Sequence, residues 1–265
     1  MRDTENCAPS TPRLVLLAGP GDSTNIVANY LSSKVADLVM VMEDPPSRLR
    51  LTLRRARRVG WVAAAGQVIF VTLLQPVLHR HGARRREAIL HAASLDDTPW
   101  EPQHRVPSVN GEHVVALLLA LQPAMVIVNG TRIIASRVLE AAGCPVVNVH
   151  AGITPRYRGV HGGYWALAEG HPEWVGTTVH LVDPGIDTGG ILAQTTFDVT
   201  ADDSLSTYPY LQLVHGLPLL GAQVDNVMAG APLGQPREGI ASGSGLYYHP
   251  TLWGYLWRRW RQGVR

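Results

Sequence analysis

Short apolar segments alternate with helical patterns along most of this chain, and this alternation is the feature that most constrains its fold. Residues 13–19, 36–41 and 123–128 are apolar runs of strand length, and helical patterns at 22–33 and 111–121 lie between them. Strands of a parallel sheet are buried on both faces and therefore read as continuous apolar runs. The sequence predicts an α/β fold with a Rossmann-like, doubly wound and mostly parallel sheet.

The length supports one main domain with an appendage. The chain has 265 residues and is 46% hydrophobic, which is enough for a sizeable core. We predict a main domain over 13–200 and, over 201–265, a helix and a helical, aromatic-rich C-terminal extension packed on it. The extension is expected to pack on the domain or to support self-association, so a homodimer is an open alternative. Its aromatic residues stand beside arginines: Trp253, Tyr255, Trp257 and Trp260.

Charge and cysteine content limit the partners and the location. The formal net charge of +2 gives no reason to expect a nucleic-acid partner. Arginines cluster at 48–58, 84–86 and 258–261, and we interpret them as solvated faces. Residues 1–12 lack the apolar core of a secretory signal, and Cys7 and Cys144 show no disulfide or metal-ligand spacing. These features predict a cytoplasmic protein without a metal.

The segment 61–78 is almost continuously apolar and approaches the length of a membrane span. It is interrupted by Gly66, Gln67, Gln75 and Pro76, so we expect a buried helix or a surface-lying hairpin and no transmembrane segment. Because an arginine-rich segment precedes it, weak contact with a membrane surface stays open.

A candidate acid–base site lies in the stretch 146–192. Asn148 and His150 are two apart on a predicted strand and point to the same face. Asp187 lies in a glycine-rich turn after a second strand, 176–182. Each residue alone has a structural alternative: a turn-bridging asparagine, a core histidine and an Asx-turn aspartate. Together, an amide, an imidazole and a carboxylate can form a small catalytic site.

Four linked motifs surround these residues. They are N-x-H at 148–150, P-x-Y-R-G at 155–159, G-x-T-x-H-x-V at 176–182 and D-x-G-x-D-x-G-x-I-L at 183–192. In this order and spacing the sequence resembles the folate-dependent formyltransferase family, which uses 10-formyltetrahydrofolate as its co-substrate. The main domain would then be the catalytic domain, and the protein an N-formyltransferase with no metal.

The resemblance implies roles for individual residues. It assigns catalysis to Asn148, His150 and Asp187, with the Asn148 amide and a protonated His150 stabilising the oxyanion, and Asp187 raising the histidine pKa and ordering a water. The implied folate pocket contains Arg132, Ile133, Ile134, Val182, Asp183, Gly185 and Ile186. The implied substrate-binding residues are Arg156, Tyr157, Arg158 and Gly159.

The acceptor is expected to be the primary amine of a small molecule: an amino sugar, a nucleotide-linked amino sugar or a specialised metabolite. Phosphoribosylglycinamide is an alternative, because Ser23-Thr24-Asn25 is similar to the phosphate loop of that branch, although Pro20 and Asp22 depart from it. Methionyl-tRNA is not expected, since those relatives add a barrel domain and the residues after Thr200 lack alternating strands. A non-catalytic protein that binds folate or another ligand is the alternative from another class.

Overall fold

The computed structural model describes residues 12–265, apart from the side chains of residues 48–51 and 54. Cys7 and the predicted absence of a secretory signal concern residues outside this range, and the exposure predicted for the first arginine cluster falls in part on side chains that are not described. The described chain forms a seven-stranded sheet and a separate two-stranded one. The strands are β1 Leu14–Ala18, β2 Leu38–Glu43, β3 His104–Val106, β4 Met125–Asn129, β5 Val146–His150, β6 Arg158–Gly159, β7 Gly176–Leu181, β8 Ile191–Thr196 and β9 Leu246–Tyr247.

The large sheet has the order β3-β2-β1-β4-β5-β7-β8. Its first five strands are parallel, whereas β7 is antiparallel to both β5 and β8. The predicted doubly wound, mostly parallel α/β sheet is confirmed. Because the strand order reverses between β1 and β4, a crevice opens at their carboxyl ends.

The sheet separates two cores because side chains of a strand alternate between its faces. On β1, Leu14, Leu16 and Ala18 belong to one core, and Val15 and Leu17 to the other. The structure also contains a short π-helical segment, Phe70–Leu74, and a 3₁₀ turn, Pro172–Trp174. The α-helices are α1 Asp22–Ser32, α2 Arg48–Val59, α3 Trp61–Ile69, α4 Gln75–His81, α5 Ala83–Ala92, α6 Glu112–Leu121, α7 Ser136–Ala142, α8 Gly162–Ala168, α9 Tyr208–Met228 and α10 Leu252–Gln262.

Helix α9 packs on the first core through residues spaced three, four or seven apart, as expected of a helix with one buried face. It shares that core with α1 and with the sheet, so the residues after 200 bury much of the sheet's surface. The proposed boundary at 200 stays a prediction. On α10, Tyr255 is buried against Phe70 and Tyr164, so one face of the extension packs on the molecule.

Two points differ between the sequence and the structure. No helix or strand is predicted above for residues 84–109, but they contain most of α5 and the edge strand β3, which is only three residues long and gives little periodic signal. The segment 61–78 is neither a buried helix nor a hairpin. It belongs to one continuous helical run, Trp61–His81, because the π-helical segment joins α3 to α4.

That run is the one helix among the described residues that is long and apolar enough to cross a membrane. Only 22% of its most apolar window is buried inside the molecule. Length and composition alone are weak evidence for a span, because core helices and signal sequences share them.

Candidate active site

A cavity of about 550 Å³ lies in the crevice at the carboxyl ends of β1, β4 and β5. Its wall includes residues that follow β4, the last residues of β5 and the loop between β7 and β8. Asn148, His150 and Asp187 all line it. The three residues that the sequence marked as an acid–base site therefore share one cavity.

The register between β5 and β7 brings a fourth side chain to this site. Asn148 stands opposite His180 in this antiparallel pair, and the Asn148 Nδ2 lies 3.2 Å from His180 Nε2. Asp187 Oδ1 is 3.6 Å from the same His180 nitrogen, and Asp187 Oδ2 is 3.4 Å from His150 Nδ1. One carboxylate thus lies between two imidazole rings.

The loop after β7 folds back so that Asp187 reaches the site. It leaves the sheet beside the start of β5, where the Val182 N–H donates to the carbonyl of Val146. Asp187 has a φ of 50°, in the left-handed region that an aspartate tolerates better than most residues. The Gly159 N–H donates to Asp187 Oδ2 over 2.8 Å and fixes the carboxylate. Short strand β6 therefore helps to position a catalytic candidate.

Hydrogen bonds define the protonated nitrogens of the two imidazoles. His150 Nε2 lies 2.7 Å from the Tyr157 carbonyl, which can only accept, so Nε2 carries the hydrogen. His180 Nδ1 donates to the carbonyl of Leu181 over 2.7 Å for the same reason. In the neutral ring, His150 Nδ1 is free to accept a proton and faces Asp187, whereas His180 Nε2 accepts from the Asn148 amide.

Burial determines the charge states at this site. It lowers the pKa of His150, and the nearby Asp187 charge offsets that shift only in part. Burial opposes ionisation of Asp187, but contacts with His180, His150 and the Gly159 N–H outweigh it and lower the pKa of the carboxyl to about 2. His150 is therefore neutral beside an ionised Asp187 at neutral pH, whereas the sequence analysis expected it to be protonated.

The predicted folate-pocket residues all line this cavity. Ile134 is buried, and Ile133 exposes 53% of its surface. The Arg132 guanidinium is held outside the catalytic group: its Nε lies 2.6 Å from Glu43 Oε2, and its Nη2 donates to the carbonyls of Asp44 and Pro107. Arg132 therefore contributes backbone to the cavity and anchors the segment by its side chain.

The four predicted substrate-binding residues do not stay together. Gly159 lines the main cavity, but Arg158 lines a neighbouring one and contacts the carbonyl of Ile186. The Arg156 guanidinium stacks 4.3 Å from the ring of Trp174. Tyr157 is fully buried and donates to Glu169. Neither Arg156 nor Tyr157 lines the cavity, because both side chains are engaged in packing on its outer side.

Two residues that shape the site are not among those predicted from the sequence. His180 carries a detectable signal, because it occupies the histidine position of G-x-T-x-H and lies two residues after Thr178 on the same strand face. Glu43 is 3% exposed and accepts hydrogen bonds from the backbone N–H groups of Arg132 and Val109. An acidic residue at a strand end gives no sequence signal for that positioning role.

A second cavity of about 230 Å³ adjoins the first and shares Ser23, Pro209 and Leu213 with it. Asp22 accepts a hydrogen bond from the Tyr210 hydroxyl at this place. The remaining lining residues include Gln75, His79, His161, Leu205 and Ser206. The helical run 61–81, through its last turns, therefore forms part of this wall.

His161 and His249 form a pair behind that wall, with His161 Nε2 2.9 Å from His249 Nδ1. Burial lowers the pKa of His161 to about 4 and that of His249 to about 3. Both rings are neutral at neutral pH. Among the described residues, no group of three or more His, Cys, Asp or Glu side chains could hold a metal ion.

Fold and site together define an α/β protein with a buried histidine and a half-buried asparagine and aspartate at the switch point of a doubly wound sheet. The chain belongs to the formyl transferase family, since the model of that family matches residues 32–211. The resemblance seen in the motifs is confirmed.

Individual relatives agree with this family. The chain is 33% identical over 130 residues to a methionyl-tRNA formyltransferase of Trichlorobacter lovleyi, an alignment that covers 49% of this chain and 41% of that protein. It spans about half the length of the curated relatives it matches.

Solved structures share the fold. A Mycobacterium tuberculosis protein described as a candidate sugar N-formyltransferase superposes with a TM-score of 0.54 at 16% identity, covering 89% of this chain and 75% of that one. Phosphoribosylglycinamide formyltransferase from Anaplasma phagocytophilum gives 0.54 at 17% identity, covering 83% and 89%.

Proposed function

We propose that this protein transfers the formyl group of 10-formyltetrahydrofolate to the primary amine of a small molecule. The observation that carries the proposal is the shared cavity: Asn148, His150 and Asp187 form one part of its wall, and the segments 129–134 and 182–187 form another. Family membership supports the reaction class.

The wall opposite the catalytic group suits a folate. A pterin ring is flat and carries hydrogen-bonding groups along its edge, so it needs apolar faces and backbone partners. Ile133, Ile134 and Val182 supply apolar surface, and the loops around them expose backbone groups in the cavity. Bound there, the folate would supply the activated formyl carbon.

The geometry suggests roles for the polar side chains. When the amine attacks, negative charge develops on the formyl oxygen, and the Asn148 Nδ2 is a donor that can stabilise it. The amine must also lose a proton. Neutral His150 can accept it at Nδ1, where the ionised Asp187 stabilises the resulting imidazolium. The C–N bond to the folate then breaks, and His150 returns the proton to the folate nitrogen, which is the leaving group.

The second cavity is our proposed acceptor pocket. Its described lining contains Asp22 and two histidines but no lysine or arginine. Asp22 would repel a phosphate, and no lysine or arginine lines the cavity to bind one directly. Hydroxyls and amines of an amino sugar can instead hydrogen-bond with Asp22, Ser23, Gln75 and Tyr210. This chemistry favours an amino sugar over phosphoribosylglycinamide.

The test is tetrahydrofolate release from 10-formyltetrahydrofolate, measured separately with amino sugars, amino-sugar nucleotides, phosphoribosylglycinamide and methionyl-tRNA. Methionyl-tRNA is included because the curated relatives act on it by name. We expect release with an amino sugar and formylated product by mass spectrometry. Release with methionyl-tRNA alone would refute the small-molecule acceptor. Folate binding without turnover on any amine would favour the non-catalytic alternative. The cytoplasmic location and the homodimer stay predictions.

A further inference from the structure

Two helices present a large apolar surface, which we call the platform. On the run Trp61–His81 the outward side chains include Val62 and Leu73, which are 75% and 66% exposed. On α10 the outward side chains are between 48% and 78% exposed. The platform consists of Trp61, Val62, Leu73, Val77, Trp253, Leu256, Trp257 and Trp260.

The two halves of the platform meet at Gly66. A Cβ added to this glycine would lie 2.4 Å from a ring carbon of Trp253, so the two helices are in close contact there. Gly66 is four residues after Val62, which places the two on the same side of α3. On α10, the exposed residues follow Trp253 at the same helical spacing. The exposed apolar residues of α3 therefore adjoin those of α10 at this contact.

The inner side of Trp61–His81 is fixed to the protein. Phe70 is fully buried, with its ring 5.4 Å from that of Tyr255. Gln67 is 6% exposed, and His79 lines the second cavity beside the active site. A helix that is packed on the protein along one side can lie along a bilayer, whereas crossing a bilayer would break these contacts.

Positive charge is concentrated in the same two segments. Residues 45–86 contain ten arginines and no Asp or Glu, and residues 239–265 contain four arginines and no Asp or Glu. The whole chain carries only a formal +2, so its acidic residues lie elsewhere. Arg57, Arg80, Arg259 and Arg261 are exposed and form no ion pair with a described residue.

This charge distribution distinguishes between the partners that could bind the platform. A two-fold contact with a second copy would bring the arginines of both copies together, with no carboxylate in either segment to neutralise them. A nucleic acid needs cations where it touches, but residues 59–78 carry no charged side chain. An anionic bilayer satisfies both features, because apolar side chains enter the acyl boundary, tryptophans lie at the interface and arginines contact lipid phosphates.

We propose that the platform binds the surface of an anionic lipid bilayer, with Trp61–His81 lying in the plane of the headgroups. The second cavity is lined by the inner face of the same helix, so docking would hold the active site close to the bilayer. The inference depends on the platform alone and not on which amine is formylated.

Flotation of the full chain with lipid vesicles tests the proposal. One set of vesicles is phosphatidylcholine, and the other contains about one third phosphatidylglycerol. We expect binding to the anionic vesicles at least tenfold tighter than to the neutral ones, and weakened when salt rises to about 0.5 M. No binding to the anionic vesicles, or equal binding to both kinds, would overturn the proposal.

Matched variants separate the apolar and the charged contributions. The double variant Trp257→Gln, Trp260→Gln should lose at least tenfold in vesicle affinity, while Leu119→Gln, an exposed leucine on α6, should lose none. Arg259→Glu, Arg261→Glu should lose more than tenfold, since each arginine near an anionic surface accounts for roughly fivefold. Unchanged melting temperatures show that each variant folds. The proposal would be wrong if the unmodified chain did not bind vesicles and these variants lost a stable dimer or tRNA binding. The platform would then bind a second copy or tRNA.

Discussion

Replacing Asp187 with asparagine removes the charge between two imidazoles while keeping the shape of the side chain. The amide oxygen can still accept from the Gly159 N–H, so the fold of the loop should survive. The substitution removes the negative charge that lies 3.4 Å from His150 Nδ1 and that stabilises this ring when Nδ1 takes up a proton. Turnover should therefore fall more than stability.

The pKa of Asp187 is lowered from 3.8 to about 2. Each pKa unit corresponds to about 1.4 kcal/mol, so the ionised carboxylate is favoured by about 2 kcal/mol in the folded protein. A positioned acid–base group typically contributes about 100-fold to 10,000-fold to a rate, and we expect the loss of the carboxylate that supports His150 in Asp187→Asn to reduce kcat at least about thirtyfold.

The assay is tetrahydrofolate release with the productive amine, with Asp202→Asn as the control, because Asp202 is exposed and lies outside the cavity. The same pKa shift predicts a pH effect. Because the folded pKa lies below the unfolded one, the Asp187 contribution to stability is present above about pH 4 and is lost as pH falls towards 2. Turnover of Asp187→Asn within threefold of that of the unmodified chain would refute the proposed role.

Three further variants test other parts of the site. Asn148→Ala should lower kcat by about 100-fold to 1000-fold, the loss of one oxyanion donor, while folate binding measured by equilibrium dialysis is retained. Gly159→Ala should destabilise the protein by about 2 kcal/mol or more in denaturant unfolding, because φ is +94° and the new Cβ would collide with the Tyr247 carbonyl oxygen. The control Gly230→Ala also has a positive φ but meets open space, so it should cost only about 1 kcal/mol. Burial lowers the pKa of His161 to about 4, so its contribution to the free energy of unfolding is complete above about pH 6.5 and falls by about 2 kcal/mol by pH 5. His161→Asn should reduce this pH dependence, which denaturant unfolding at both pH values measures.

The sheet was predictable where its strands are buried on both faces. Leu14–Ala18 and Met125–Asn129 are almost wholly apolar, and the sequence located both to within a few residues. Strand His104–Val106 was not predicted, because three residues at a sheet edge give no periodic pattern. The helix Ser136–Ala142 ends at Gly143, which supplies the left-handed residue of its C-cap.

The catalytic candidates were predictable as a set, but their electrostatics were not. The spacing of Asn148 and His150 on a strand fixed their common face, and the structure brings Asp187 to them. The neutral state of His150 depends on burial, which lowers its pKa, and its tautomer depends on the Tyr157 carbonyl; the sequence reveals neither. His180 was not predicted for a similar reason: its position opposite Asn148 depends on the register of two antiparallel strands.

The helical run Trp61–His81 explains why whole-chain averages describe this protein poorly. A net charge of +2 suggests a neutral surface, yet residues 45–86, which include this helix, contain ten arginines and no Asp or Glu. A continuous apolar segment suggests a buried helix, yet only one side of it is buried. The same helix presents the platform outward and places Gln75 and His79 in the wall of the proposed acceptor pocket. Because one rigid element contributes to both surfaces, acceptor preference should be measured on the full chain, since removing this segment would change the pocket as well as the platform.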